Sequence, residues 1–167
     1  MTKKITPCLW FDSQAEEAAV FYTSIFKNSK IRKVAYYGEA GQEIHGQKAG
    51  TVLTVEFELD GQPFTALNGG PVFKFNESIS LQVYCKTQKE LDYFWDKLGE
   101  GGDPNAQQCG WLKDKYGVSW QIVPSILGKL MSDKYRKKAD RVMLALLKMK
   151  KLDIKALEDA YKGDSEK

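Results

Sequence analysis

One short pattern occurs twice in this chain, and it restricts the fold more than any other feature. Thr6 to Phe26 reads TPCLWFDSQAEEAAVFYTSIF, and Ile79 to Gly99 reads ISLQVYCKTQKELDYFWDKLG. Each copy opens with an apolar stretch of strand length. Each continues with apolar residues three and four apart, the period of an amphipathic helix. An offset of 73 pairs Ala18 with Leu91, Phe21 with Phe94, Tyr22 with Trp95 and Ile25 with Leu98. The same helical face is therefore built twice, each time behind a strand. In the first copy Asp12 or Ser13 can cap the helix, and Glu16 and Glu17 suit its positive end.

β-structure follows each copy. Lys30 to Tyr37 reads as a strand near a sheet edge, given its alternating basic residues. Gly38 to Gly50 is a polar connection carrying His45. Thr51 to Leu59 alternates cleanly, Asp60-Gly61 is a hairpin signal, and Gln62 to Asn68 is the return strand. Asn68-Gly69-Gly70-Pro71 breaks the chain, and Val72 to Ser78 joins the halves. In the second half a Gly-rich loop, Gly99 to Pro104, leads to strands near Gln107 to Leu112 and over Val118 to Val123, with a turn at Asp114 to Gly117. Its third strand reads as short or missing. Beyond Ser125 the period turns helical: a turn or two up to Met131, a helix over Asp133 to Met149, and one over Ile154 to Tyr161 capped by Asp153. The expected fold is α+β, with two tandem β-α-β-β-β modules (1–70 and 71–124) and a helical extension (125–167), forming one structural domain.

Composition excludes more than it selects. A chain of 167 residues with 43% hydrophobic residues is an ordinary globular protein. No run approaches the roughly 18 apolar residues of a membrane span, and the first residues lack a signal core. A cytoplasmic location is the expectation. Three cysteines, Cys8, Cys85 and Cys109, without metal-ligand spacing read as reduced small hydrophobes. A net charge of +3 does not argue for nucleic acid. The basic residues between Lys134 and Lys151 read first as a solvated helix face, and second as an anion-binding or nucleic-acid face.

The tandem modules, with Asp114-x-x-Gly117 leading into a last strand, resemble the vicinal oxygen chelate superfamily (glyoxalase I, extradiol dioxygenases, bleomycin- and fosfomycin-resistance proteins). ITPCLWFDSQAEEAAVFY, ELDGQPFTALNGGP, FKFNESIS and CGWLKDKYGVSWQIVP look like its PhnB-like subfamily, labelled demethylubiquinone methyltransferase-like. The resemblance, over roughly 5–124, implies a curved, cup-shaped mixed sheet. In metal-using members four strand residues hold a divalent ion through imidazole or carboxylate groups. Here those positions fall at or beside Pro7, at Ser80, at Thr65 or Ala66 depending on register, and at Gln121. Only Gln121 is a plausible ligand, so no metal site is expected. Methyl transfer is also unsupported, because no glycine-rich turn joins a strand to a helix.

What remains is a cup able to hold a planar or amphipathic small molecule, with Trp10, Asn68, Ser80, Gln82, Trp111 and Gln121 as pocket-lining candidates. The tryptophans read first as core, and the two glutamines equally as pocket groups or as residues satisfied within the sheet. The expected protein is a metal-free, cofactor-free binder acting as a homodimer. Its rivals are a lyase, dioxygenase or isomerase with an unrecognised site, and a regulatory protein using its basic C-terminal helices.

Overall fold

The computed structural model describes residues 4–163, which form two compact units, Met1–Phe75 and Asn76–Lys167. The first contains β1 (Cys8–Phe11), α1 (Ala15–Ile25), β2 (Lys30–Tyr36), the one-turn α2 (Gln42–His45), β3 (Val52–Leu59) and β4 (Gln62–Asn68). Its sheet has the order β1-β4-β3-β2, with β1 parallel to β4 and the other pairs antiparallel. Alternation sends Leu9, Phe11, Val55, Phe57, Leu59, Phe64 and Ala66 to one face, where they are buried. α1 covers that face with Ala15, Ala18, Ala19, Tyr22 and Ile25. The rings of Tyr22, Phe57 and Phe64 form a continuous stack, with centroids 6.4 and 5.4 Å apart. The Asp60-Gly61 turn has φ of +46° and +76°, as a tight hairpin between right-twisted strands requires.

The second unit contains β5 (Leu81–Cys85), α3 (Gln88–Gly99), β6 (Asp103–Gln108), β7 (Trp111–Lys113), β8 (Ser119–Pro124), α4 (Leu127–Met131), α5 (Arg136–Leu146) and α6 (Ile154–Lys162). Its sheet, β5-β8-β7-β6, repeats the first topology. The third strand is present after all. β6, DPNAQQ, has no apolar alternation, and its place on the sheet edge is set by pairing with β7. An edge also tolerates Pro104, which has no N–H to give.

The helical repeat holds: Ala18 and Leu91, Tyr22 and Trp95, and Ile25 and Leu98 are all buried. The strands before the helices follow a different offset. Gly69 N–H donates to Phe11 O at 3.0 Å and Ser125 N–H to Cys85 O at 2.8 Å, which makes Phe11 the counterpart of Cys85, 74 positions on. The second connection is one residue shorter. It is capped from within, Thr87 Oγ1 accepting from Glu90 N–H at 3.2 Å. The first is capped from a distance: neither Asp12 nor Ser13 does so, and Asn68 Oδ1 accepts from Ala15 N–H at 2.8 Å.

Asp114 organises the β7–β8 turn. It is buried, and Oδ1 accepts from Tyr116 N–H (2.9 Å) and Val118 N–H (3.0 Å) while Oδ2 accepts from Trp120 Nε1–H (2.8 Å).

The C-terminal helices pack within the second unit. The segment between α5 and α6 is fastened to the sheet, Cys109 and Gly110 N–H donating to Met149 O and Lys150 O at 2.8 Å. Gln88 grips the start of α6, donating to Leu152 O (3.1 Å) and accepting from Ile154 N–H (2.9 Å). Arg141 reaches from α5 to the last carbonyls of α6, at 2.8 Å from Ala160 O and 2.7 Å from Tyr161 O, and so caps a helix end. Two carboxylates complete the attachment. Lys151, 2.9 Å away, holds Asp92 below the usual carboxylate range with help from Gln88. The Tyr161 hydroxyl, donating to Asp133, holds that group down likewise. Groups lowered in the fold contribute stability at neutral pH and lose it as pH falls through their lowered values. As pH falls below the ordinary Asp value of ~3.9, residues 133–163 are therefore expected to lose hydrogen-exchange protection, measured relative to the intrinsic rate at each pH, before the strands of the second unit do.

Candidate functional site

In the second unit, Ile122, Trp120 and Leu112 are buried on the side covered by α3. The other face of that sheet carries a row of side chains at one register. Gln82 lies opposite Gln121, Gln121 opposite Trp111, and Trp111 opposite Gln108. A hydrogen-bonded chain runs along it: Tyr84 Oη donates to Gln82 Oε1 (2.7 Å), Gln82 Nε2 to Gln121 Oε1 (3.3 Å) and Gln121 Nε2 to Ser80 Oγ (2.7 Å). Gln82 and Tyr84 are exposed; Ser80, Trp111, Gln121 and Val123 are half-buried. Below them Ser119 Oγ is buried without a hydrogen-bond partner, beside Lys113, which pairs with Glu77.

Four of the six candidates, Ser80, Gln82, Trp111 and Gln121, therefore share one face. Strand alternation was the signal for three of them. The same signal, carried two residues past Gln82, would also have found Tyr84.

The other two candidates lie in the first unit, on opposite faces. Trp10 is on the face away from α1, beside Leu67. Its indole lies where a Cβ on Gly69 would approach to 2.1 Å, its Nε1–H donates to Gly70 O at 2.8 Å, and its ring meets the edge of Phe73. Asn68 points the other way and is buried. Its Oδ1 caps α1, its Nδ2 donates to Val52 O at 3.0 Å, and its backbone carbonyl accepts from Tyr37 Oη at 2.6 Å. This is a structural placement with both amide atoms engaged.

The positions assigned by family pattern shift with the register. Pro7 falls on the alternation of Leu9 and Phe11, which face the helix, so Cys8 is the counterpart of Gln82. Thr65 shares Cys8's face, while Ala66 is buried against α1. Burial raises the Cys8 thiol, and it pushes Cys85 up to about 12, with Glu90 adding to that shift. Among the described residues no three His, Cys, Asp or Glu side chains come together. The second unit's face offers neutral amides and hydroxyls already bonded to one another, a donor set that does not fit a divalent cation. His45, the single imidazole, lies tilted against Tyr37 with centroids 4.6 Å apart, and its Nδ1 accepts from Gln47 N–H. A methyl-donor cofactor fits no better, since Asp12-Ser13-Gln14 and Lys86-Thr87 join strand to helix without a glycine.

Two mixed four-stranded sheets, each with a helix between its first and second strands, are the architecture of the glyoxalase/bleomycin-resistance class. Within that class, the family model described as 3-demethylubiquinone-9 3-methyltransferase matches residues 3–123, and the chain belongs to this PhnB-like family. The structure of the PhnB protein from Bacillus cereus is 40% identical with a TM-score of 0.60, the match covering 71% of this chain and 97% of that one. A Staphylococcus aureus protein is 32% identical over 72% of this chain and 95% of its own, with a TM-score of 0.33. Protein PA1353 from Pseudomonas aeruginosa, 17% identical with a TM-score of 0.53 over 71% and 95% of the two chains, shares the fold. No curated protein matches the chain. The family match ends at Val123, so α4, α5 and α6 lie outside it.

Proposed function

We propose that this chain binds a small, neutral, planar or amphipathic molecule without a metal ion, on the open sheet face bearing Ser80, Gln82, Trp111 and Gln121. The observation that carries this reading is the chain of hydrogen bonds from Tyr84 through the two glutamines to Ser80, with Trp111 beside it. Two hydroxyls and two amides bring six N–H or O–H donors, and three bonds use three of them. Three remain for a ligand whichever way the amides are turned. A neutral molecule with carbonyl or hydroxyl oxygens meets them without burying a charge, and an indole beside them suits a flat ring.

The family's description names a methyltransferase, but the residues of this chain offer a methyl donor no recognisable cradle, so binding is the first reading. A lyase-, dioxygenase- or isomerase-type activity is the alternative. Exposed Val72, Phe73 and Ile79 support assembly as a homodimer, and three free cysteines suit a reducing, cytoplasmic setting.

The test is calorimetric titration with neutral aromatic carbonyl compounds and their carboxylate analogues. Neutral compounds should bind. Gln121→Ala and Gln82→Ala should each weaken binding roughly 3- to 10-fold, as loss of one hydrogen bond implies. One divalent ion per chain after chelator-free purification, with metal-dependent turnover, would overturn the metal-free reading in favour of the enzyme.

A further inference from the structure

The C-terminal extension carries a surface that the sheet face does not explain. α5 turns Met143, Leu144 and Leu147 outward, 41%, 60% and 54% exposed, while Ala139 and Val142 on its inner side are buried. Arg136 and Lys137 precede this trio on the outer side by helical spacing, with one exposed acid, Asp140, between them and it, and Lys148 and Lys150 follow it in sequence beyond the end of α5. None of these four cations has an ion-pair partner among the described residues. The first turn of α5 holds three cations, Arg136, Lys137 and Lys138, and no acid, an arrangement that opposes the helix dipole. Tyr135, 60% exposed, sits between Lys134 and Lys138, whose ammonium groups are 5.1 and 5.6 Å from its ring. The inner side cannot turn out in exchange, because Arg141 ties α5 to the end of α6.

We propose that the outer face of α5 seats on an anionic lipid surface, its Met143, Leu144 and Leu147 entering the headgroup boundary while Arg136, Lys137, Lys148 and Lys150 meet the headgroups. An aliphatic patch bordered by unpaired cations and an exposed tyrosine is the pattern of a helix lying in a membrane interface. Charge decides against the other occupants. A second copy docked here would set like cations against one another, and a nucleic acid would leave three aliphatic side chains unused. With one short helix and three apolar side chains, the attachment is weak and salt-sensitive.

The experiment is co-sedimentation of the full chain with vesicles of phosphatidylcholine alone or with about 30% phosphatidylserine, at low and high salt. The chain should pellet with the anionic vesicles only and be released by salt. Leu144→Asp with Leu147→Asp, and Arg136→Glu with Lys137→Glu, should each reduce the bound fraction about tenfold. All four residues are on the outer side of α5, so circular dichroism and melting should match the parent. Absence of binding to anionic vesicles overturns the proposal. Binding unchanged by the leucine substitutions overturns it too, reducing the face to a polyanion contact that DNA would share. Dimerisation in light scattering that the leucine substitutions abolish would assign the face to a second copy instead.

Discussion

Replacing Asp114 by alanine is expected to cost about 3 kcal/mol or more, because it removes the acceptor of three donors at once, two of them buried. Tyr116 N–H, Val118 N–H and Trp120 Nε1–H all point at this carboxylate from 2.8 to 3.0 Å, and the site admits little water, since Asp114 is 3% exposed. A loss of that size lowers the melting temperature of a unit of this length by roughly 12–24 °C. Asp114→Asn separates the contributions. Its amide oxygen can still accept from the two backbone groups, but its N–H₂ then faces the indole N–H. About half the loss is expected. Trp120→Phe removes the opposing donor, so the asparagine should cost little in that background, and a double-mutant cycle reads the difference. If Asp114→Ala melts like the parent, the turn is held by its backbone bonds alone, Asp114 N–H to Val118 O and Gly117 N–H to Asp114 O.

Asp114 also marks where the sequence stops being readable. As one polar residue before Lys115-Tyr116-Gly117 it looks like any turn residue; its burial follows from the indole folding back over it. The hairpin Thr51 to Asn68 was legible because alternation and Asp60-Gly61 fix one register between them. β6 was not, because an edge strand without an apolar face leaves no pattern. The duplicated helices were legible from four paired positions. Extending their offset into the strands placed Pro7 opposite Ser80, and a connection one residue shorter turns that pairing onto the wrong face. For the candidate site, alternation was enough to group Ser80 with Gln82 and to give Gln121 the face of Ser119 and Val123, since parity along a strand survives any error in the loops. It carried no information on Trp111's place beside Gln121, which depends on the turn at Cys109-Gly110, with φ of +52° and +85°.

Asn68 shows the converse, a polar residue whose parity already argued against a cleft. It alternates with Phe64 and Ala66 on the face that α1 covers, so its amide has to be satisfied inside the protein. Asn68→Ala should therefore be expensive whether or not any ligand exists. The N–H of Ala15 loses its acceptor at the buried start of α1, where neither Asp12 nor Ser13 takes its place, and Val52 O loses its donor. Together with the space vacated, about 2–4 kcal/mol is expected, read as a lower melting temperature and faster hydrogen exchange in the first turn of α1. Asn68→Asp keeps the acceptor for Ala15, and a carboxylate suits a helix start, but it sets an oxygen against Val52 O. Its cost should fall between those of the parent and the alanine variant. A side chain serving only a ligand would leave melting unchanged in both substitutions and change only a titration, so native-like melting of Asn68→Ala would return Asn68 to the list of pocket residues. Loss of stability with the affinity of the second unit's face intact would separate the two faces: one polar residue holding a helix to its sheet, and four on the other unit left free to hold something else.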